Sequence, residues 1–244
     1  MKKSPYILVI DSGLGGLHIL AKCKKLTPSS NFLYIADDKN LPYGSKSKNQ
    51  IENAIYSIYA RFKKYYKISC IVIACNTATA CAINSLRQKI NIPIIGTEPN
   101  TKTPTSLNYK NIIVLATPTT AESARFKRLL NNNCNVLICK NLATEIENCF
   151  LLNAKIDYTS LFNQIVSKNA DCIVLGCTHY NFIEKKLQSL NLPIFDSLIG
   201  VAKQVRLLSK PTNIKNGKTI ILTTSQNQTK QNKYLKYYKQ LLLQ

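Results

Sequence analysis

An α/β protein built from two similar doubly wound parallel-sheet domains, related by a pseudo-twofold axis, is the fold class this sequence predicts. Three observations predict it. Short β-branched runs alternate with helix-like segments along 244 residues, the rhythm of strand–helix–strand units. One run is written twice, as CIVIAC at 70–75 and CIVLGC at 172–177, 102 positions apart. Two further echoes keep the order and nearly the spacing: Leu115 follows Ile10 by 105 residues, and Pro193 follows Pro93 by 100. A duplicated unit accounts for all three.

The first half opens on YILVI (6–10), followed by FLYIA (32–36), CIVIA (70–74) and IPIIG (92–96). Such near-continuous apolar runs are what strands buried on both faces require. Within NQIENAIYSIYARFKKYY (49–66), Ile51, Ile55, Ile58, Tyr59 and Phe62 recur at helical spacing. The Pro- and Thr-rich stretch TEPNTKTPTSLNYKN (97–111) reads as the connection. The second half repeats the pattern with NIIVLA (111–116), NVLIC (135–139), CIVLG (172–176) and LPIFD (192–196). KTIILTTS (218–225) predicts a ninth strand, and a terminal helix follows with Leu235, Tyr238, Leu241 and Leu242 as its apolar stripe. One strand and one helix cannot form a domain, so they are expected to return to a half. The predicted division is residues 1–97 plus 207–244 for one domain and 98–206 for the other, with the site between them.

Hydrophobic residues make up 45% of the chain, enough for a real core. No apolar stretch approaches a membrane span and Met1-Lys2-Lys3 leads into a short strand-like run, so the expectation is a soluble cytoplasmic protein. Nine cysteines without an export signal read as free thiols. The net charge is +21, but only five arginines contribute: Arg61, Arg87, Arg125, Arg128 and Arg206. Nucleic-acid readers lean on arginine's planar fork, so the charge reads as a solvated lysine surface and a nucleic-acid partner is not expected.

In open parallel sheets, ligands gather at the carboxyl ends of strands. Cys75 and Cys177 lie there. Each precedes a predicted helix, where amide groups favour a thiolate, and each is followed by a polar pair, Asn76-Thr77 and Thr178-His179. Cys70 and Cys172 stand five positions earlier, an odd offset that turns them to the opposite sheet face. A metal site is not expected: the chain has two histidines, His18 and His179, and no C-x2-C pair. If the halves face each other, two thiols flank one cleft, the arrangement for removing a proton from one face of a carbon and returning one to the other. VIDSGLGG (9–16) ends the first strand with Asp11 and Ser12, and its glycines allow close backbone approach to a ligand. DDKNLPYG (37–44) ends the second, where Tyr43 and Gly44 could offer a hydroxyl and an amide to a carboxylate.

DSGLGG, DxxxxPYG (37–44), ACNTAT (74–79), IPIIGTEP (92–99) and LGCTHY (175–180), in this order, resemble the glutamate racemase family within the aspartate/glutamate racemase superfamily. The resemblance implies cofactor-independent interconversion of L- and D-glutamate, supplying D-glutamate for peptidoglycan, by a homodimer. It places the paired catalytic cysteines on Cys75 and Cys177. Substrate contacts carry over to Asp11, Ser12, Tyr43, Gly44, Asn76, Thr77, Thr178 and His179, with Pro42, Thr117 and Thr119 as supporting residues. The family's acid after the sixth strand falls on Glu147, with Glu145 competing. Which of Asp11, Glu147 and His179 assists which thiol stays open. Two departures stand out: Asn181 where the family usually has proline, and Asp38 where it usually has threonine. Asp38 is expected to repel a substrate carboxylate.

Overall fold

The computed structural model describes residues 4–209 and 215–244. The first half runs β1 (Tyr6–Asp11), α1 (Gly16–Leu26), β2 (Asn31–Ala36), α2 (Lys48–Phe62), β3 (Ile68–Ile73), α3 (Asn76–Lys89) and β4 (Ile94–Gly96). A short α4 (Lys102–Ser106) leads to β5 (Ile112–Ala116), α5 (Pro118–Glu122), α6 (Ala124–Lys127), β6 (Cys134–Ile138), α7 (Leu142–Leu152) and α8 (Thr159–Ser167). Then come β7 (Cys172–Leu175), a 3-10 turn (Thr178–Ile183), α9 (Glu184–Leu187) and β8 (Ile194–Phe195). The chain closes with α10 (Leu198–Leu208), β9 (Thr219–Thr223) and α11 (Gln228–Leu243).

Each strand-like run of the sequence becomes a strand, and every pairing is parallel. The first sheet has the order β4-β3-β1-β2-β9 and the second β6-β5-β7-β8. Read from its other edge, the second sheet is β8-β7-β5-β6, the order of β4-β3-β1-β2 shifted by four strands. The two halves therefore share one topology, and β9 is an addition to the first. Cys75 and Cys177 follow β3 and β7, which occupy equivalent places.

Side-chain alternation assigns each sheet two buried faces. In the first sheet Ile7, Val9, Phe32, Tyr34 and Val72 face α1, α10 and α11, while Leu8, Ile10, Leu33, Ile35, Ile71 and Ile73 face α2 and α3. In the second, Ile113, Leu115, Ile173 and Leu175 pack with α7 and α8; Ile112, Val114 and Val174 pack on Phe126. Cys70 and Cys75 fall in opposite clusters, as do Cys172 and Cys177, as the odd offset demands. The helix read at 49–66 starts one residue earlier, because Ser47 and Gln50 form a reciprocal capping box.

Two expectations are corrected at the C-terminal end. Val201, Ala202 and Val205 of α10 are buried in the core of the first sheet, so the predicted boundary at 206/207 cuts a helix that packs with the first domain. On α11 the buried stripe is Tyr234, Tyr238 and Leu241, whereas Leu235 is 37% exposed. The i, i+4, i+7 spacing selects the aromatic face, and Leu235 lies one position off it.

Two glycines with different surroundings test this packing. A Cβ on Gly176, the residue before Cys177, would collide with the backbone oxygen of Leu115, whereas one on Gly200 in α10 would meet nothing within 4 Å. Gly176→Ala is expected to destabilise by roughly 1–3 kcal/mol and Gly200→Ala to stabilise by about 0.5–1 kcal/mol, both read by urea unfolding.

Candidate active site

The ends of β1, β3 and β7 bring Asp11, Cys75, Cys177 and Thr178 close together where the two domains meet. Asp11, the last residue of β1, is fully buried. Its Oδ1 accepts the Gly13 N–H at 2.8 Å, and its Oδ2 accepts the Thr178 hydroxyl of the other domain at 3.3 Å. Ser12 is buried beside it. The glycines that follow were expected to admit a ligand. In the structure they admit the opposite domain: a Cβ on Gly13 would strike the Glu147 carboxylate, and one on Gly15 would lie 2.6 Å from His179 Nδ1. Leu14 N–H then donates to Glu147 Oε2 at 3.0 Å.

Cys75 caps the N-terminus of α3, with the Thr77 and Ala78 amides turned towards its sulfur. Burial nevertheless pushes its thiol well above the usual range. The charges of Asp11 and Cys177 push the same way, and the two amides offset part of this. Cys177 precedes a 3-10 turn rather than the expected α-helix. Its sulfur lies 3.9 Å from His179 Nδ1. His179 Nε2 in turn lies 3.0 Å from Glu147 Oε2. The result is a carboxylate–imidazole–thiol line. Burial opposes the His179 charge, but contacts with Cys177 and Glu147 and the Asp11 charge outweigh it and hold the imidazole well above its ordinary value. Burial likewise opposes Glu147 ionisation, and His179, Tyr234 and the Leu14 amide together bring its carboxyl below the ordinary value. Asp11 goes the other way: burial raises it more than His179 and the Gly13 amide lower it.

Asp11 bonds Gly13 and Thr178 and lies close enough for its charge to bear on both Cys75 and His179, whereas Glu147 and His179 line up on Cys177. Glu147 is buried and Glu145 exposed, because two positions on a helix face different ways.

The threonines join the halves. Thr77 Oγ1 lies 2.9 Å from Thr117 Oγ1 and 3.2 Å from Thr120 Oγ1, and the Thr119 hydroxyl donates to the Gly44 carbonyl. Asn76 donates to the Thr97 carbonyl, while its Oδ1 is buried without a partner among the described residues. An ammonium group would satisfy that acceptor. Tyr43 departs from expectation: its hydroxyl donates to Asp37 Oδ2 at 2.7 Å instead of standing free for a carboxylate. Pro42, in extended conformation, precedes the 3-10 turn at Tyr43–Ser45. Asp38 is also corrected. It turns away to accept from Ser225 N–H at 2.8 Å and from Lys230 at 3.3 Å, so it ties down the C-terminal segment instead of facing substrate. Asn181, in the proline position, donates to the Thr178 carbonyl at 3.0 Å.

Sequence reasoning missed Thr120, Tyr34, Lys230 and Tyr234. Tyr34 donates to the Gly13 carbonyl at 2.6 Å, and Tyr234 donates to Glu147 Oε1. Thr120 continues the PTT run at 118–120 and could have been included; nothing local marks the others.

The chain matches the Asp/Glu/Hydantoin racemase family over residues 7–205. It belongs to that family. It is 36% identical to the glutamate racemase of Clostridium acetobutylicum over 217 residues, 84% of each chain. It is 38% identical to that of Campylobacter curvus over 230 residues, 86% of this chain and 85% of the other. Among solved structures, Escherichia coli glutamate racemase in complex with L-glutamate and the activator UDP-MurNAc-Ala superposes with a TM-score of 0.83, covering 96% of this chain and 95% of that one. At 24% identity this likeness concerns the fold alone.

The buried ion pair makes a stability prediction. Glu147 has a depressed value, so its contribution is present above the ordinary 4.5 and lost as pH falls through the folded value. His179 has a raised value, so its contribution is complete below 6.5 and lost as pH rises through the folded value. Glu147→Gln leaves the imidazolium without its counter-charge. It is expected to lower unfolding free energy by about 3–5 kcal/mol between pH 4.5 and 6.5, with the gap to wild type narrowing on either side. Urea unfolding across pH reads it.

Proposed function

We propose that this protein is a cofactor-independent glutamate racemase working through Cys75 and Cys177. The observation that carries the reading is the pair of thiols after equivalent strands of two like-ordered sheets, close enough for the charge of one to bear on the other, in a chain whose curated relatives are glutamate racemases.

In this reading one cysteine, as thiolate, removes the α-proton, and the electron pair of the C–H bond passes into the α-carboxylate. The other cysteine, as thiol, delivers a proton to the opposite face, so configuration inverts and the two thiols exchange protonation states. The α-proton of an amino acid is very weakly acidic, so the developing charge needs donors. Asn76, Thr77, Thr178 and the amides of α3 are placed to supply them, each worth roughly 3–4 kcal/mol when well aligned. Asp11 serves Cys75, while Glu147 and His179 serve Cys177. Following the resemblance, Cys75 handles the proton of D-glutamate and Cys177 that of L-glutamate.

Each thiol is only 5% exposed, and the side chains intended for substrate bond one another across the domains. Binding therefore exchanges interdomain contacts for substrate contacts as the halves part. The wider proposal is a cytoplasmic homodimer that supplies D-glutamate for peptidoglycan. Among the described residues no helix is long and apolar enough to cross a membrane.

Purified protein treated with hydroxylamine to strip any pyridoxal phosphate, then incubated with D-glutamate in D2O, is expected to yield L-glutamate carrying α-deuterium. Aspartate and hydantoins under the same conditions separate the family's other substrates. Cys75→Ala and Cys177→Ala should each reduce racemisation in both directions by roughly 100- to 10,000-fold. Racemisation persisting in both single variants refutes the two-thiol assignment.

A further inference from the structure

Glu147 occupies an unusual place for a carboxylate: it belongs to the second domain, yet most of its contacts come from the first. Its Oε2 accepts from Leu14 N–H and lies 3.0 Å from His179 Nε2. Its Oε1 accepts the Tyr234 hydroxyl and faces Lys230 Nζ at 4.0 Å. Tyr234 and Lys230 stand four residues apart on α11, a helix carrying no motif of the family resemblance.

We propose that Tyr234, supported by Lys230, is a positioning residue for the acid–base arm at Cys177, holding the Glu147 carboxylate in the plane that presents His179 to the thiol. The inference rests on the reading of Cys177, His179 and Glu147 as one arm. A carboxylate turns easily about its last torsion. Bonds to Oε2 alone would let Oε1 swing; two groups on Oε1 fix the plane. Tyr234 is fully buried. Burial and the Glu147 charge oppose ionisation of its phenol, so it stays a donor. Its helix is itself fixed. Asn227 caps the first turn by accepting from Lys230 N–H, Tyr238 Oη meets Thr219 Oγ1 at 3.2 Å, and Asp38 holds the Lys230 ammonium at 3.3 Å. Asp38, which the sequence set against substrate, thus steadies a support of Glu147.

The groups facing Glu147 are His179 from the 3-10 turn, the Leu14 amide, Tyr234 and Lys230 from α11, the Asp11 carboxyl at the end of β1 and the neutral Tyr34 phenol on β2. Removing the Tyr234 donor makes Glu147 easier to protonate, so the acid limb of the pH–rate profile must move to higher pH.

The test is Tyr234→Phe, assayed with both enantiomers across pH. L- and D-glutamate have equal free energy, so kcat/KM falls equally in both directions, by about tenfold. The acid limb moves up. Tyr238→Phe, on the same helix but bonded to Thr219, leaves the limb in place. Glu147→Gln combined with Tyr234→Phe is no worse than Glu147→Gln alone. A merely structural Tyr234 would scale activity at every pH without moving the limb. Wild-type kcat/KM and an unmoved limb in Tyr234→Phe, beside an impaired Glu147→Gln, overturn the inference alone. An unimpaired Glu147→Gln overturns the Cys177 arm and the inference with it. If Tyr234→Phe does not fold, Lys230→Met makes the same demand on the limb, and an unmoved limb there counts against the proposal.

Discussion

The buried carboxylate of Glu147 is the constraint on which the union of the two halves turns. An ionised carboxylate in a protein interior costs several kcal/mol unless a counter-charge and donors surround it. Here the counter-charge comes from His179 of its own domain, while the Leu14 amide and the Tyr234 hydroxyl come from the other. Separating the halves strips donors from a charge that cannot easily be left bare. The glycines at 13 and 15 matter for the same reason: only a bare backbone passes close enough to reach that carboxylate and its imidazole.

The same constraint explains why two halves with one topology carry unlike chemistry. Equivalent strands end in Cys75 and Cys177, but the first thiol faces a carboxyl and the second an imidazole. Unlike partners give the two thiols unlike electrostatic surroundings. The duplication supplied the geometry, and the residues after each strand supplied the difference.

Legibility followed the range of the interaction. The strands were readable because a buried parallel strand writes its apolar run locally, and the duplication because a repeat is itself a pattern. The placement of Cys75 and Cys177 directly after two strands was readable from those runs. Tyr43 and Asp38 were placed near the site by sequence proximity, but their orientation depended on Asp37 and on Ser225, residues that no local rule connects to them. The contribution of α11 was wholly illegible: Tyr234 meets Glu147 across 87 positions, and from sequence it is one more aromatic on an amphipathic helix.

The chain as a whole carries a large excess of basic residues while the region of the two thiols holds several acids, and under the proposed function this combination bears on how an anionic amino acid is received. Four of the twelve acidic residues lie in this region: Asp11, Asp37 and Asp38 at the ends of β1 and β2, and Glu147 on α7. Left free they would repel a glutamate anion. None is free. Glu147 pairs with His179, Asp38 with Lys230, and Asp37 accepts from Asn40, Tyr43 and Thr224; burial disfavours the charge on Asp11. The local negative field is thereby spent on internal partners. The lysine-rich surface, with a net charge of +21, governs the approach, where screening limits its reach to about 8 Å at physiological salt. Attraction at the surface and acids occupied by internal partners are separate requirements for admitting an anion, and the proposed function draws on both.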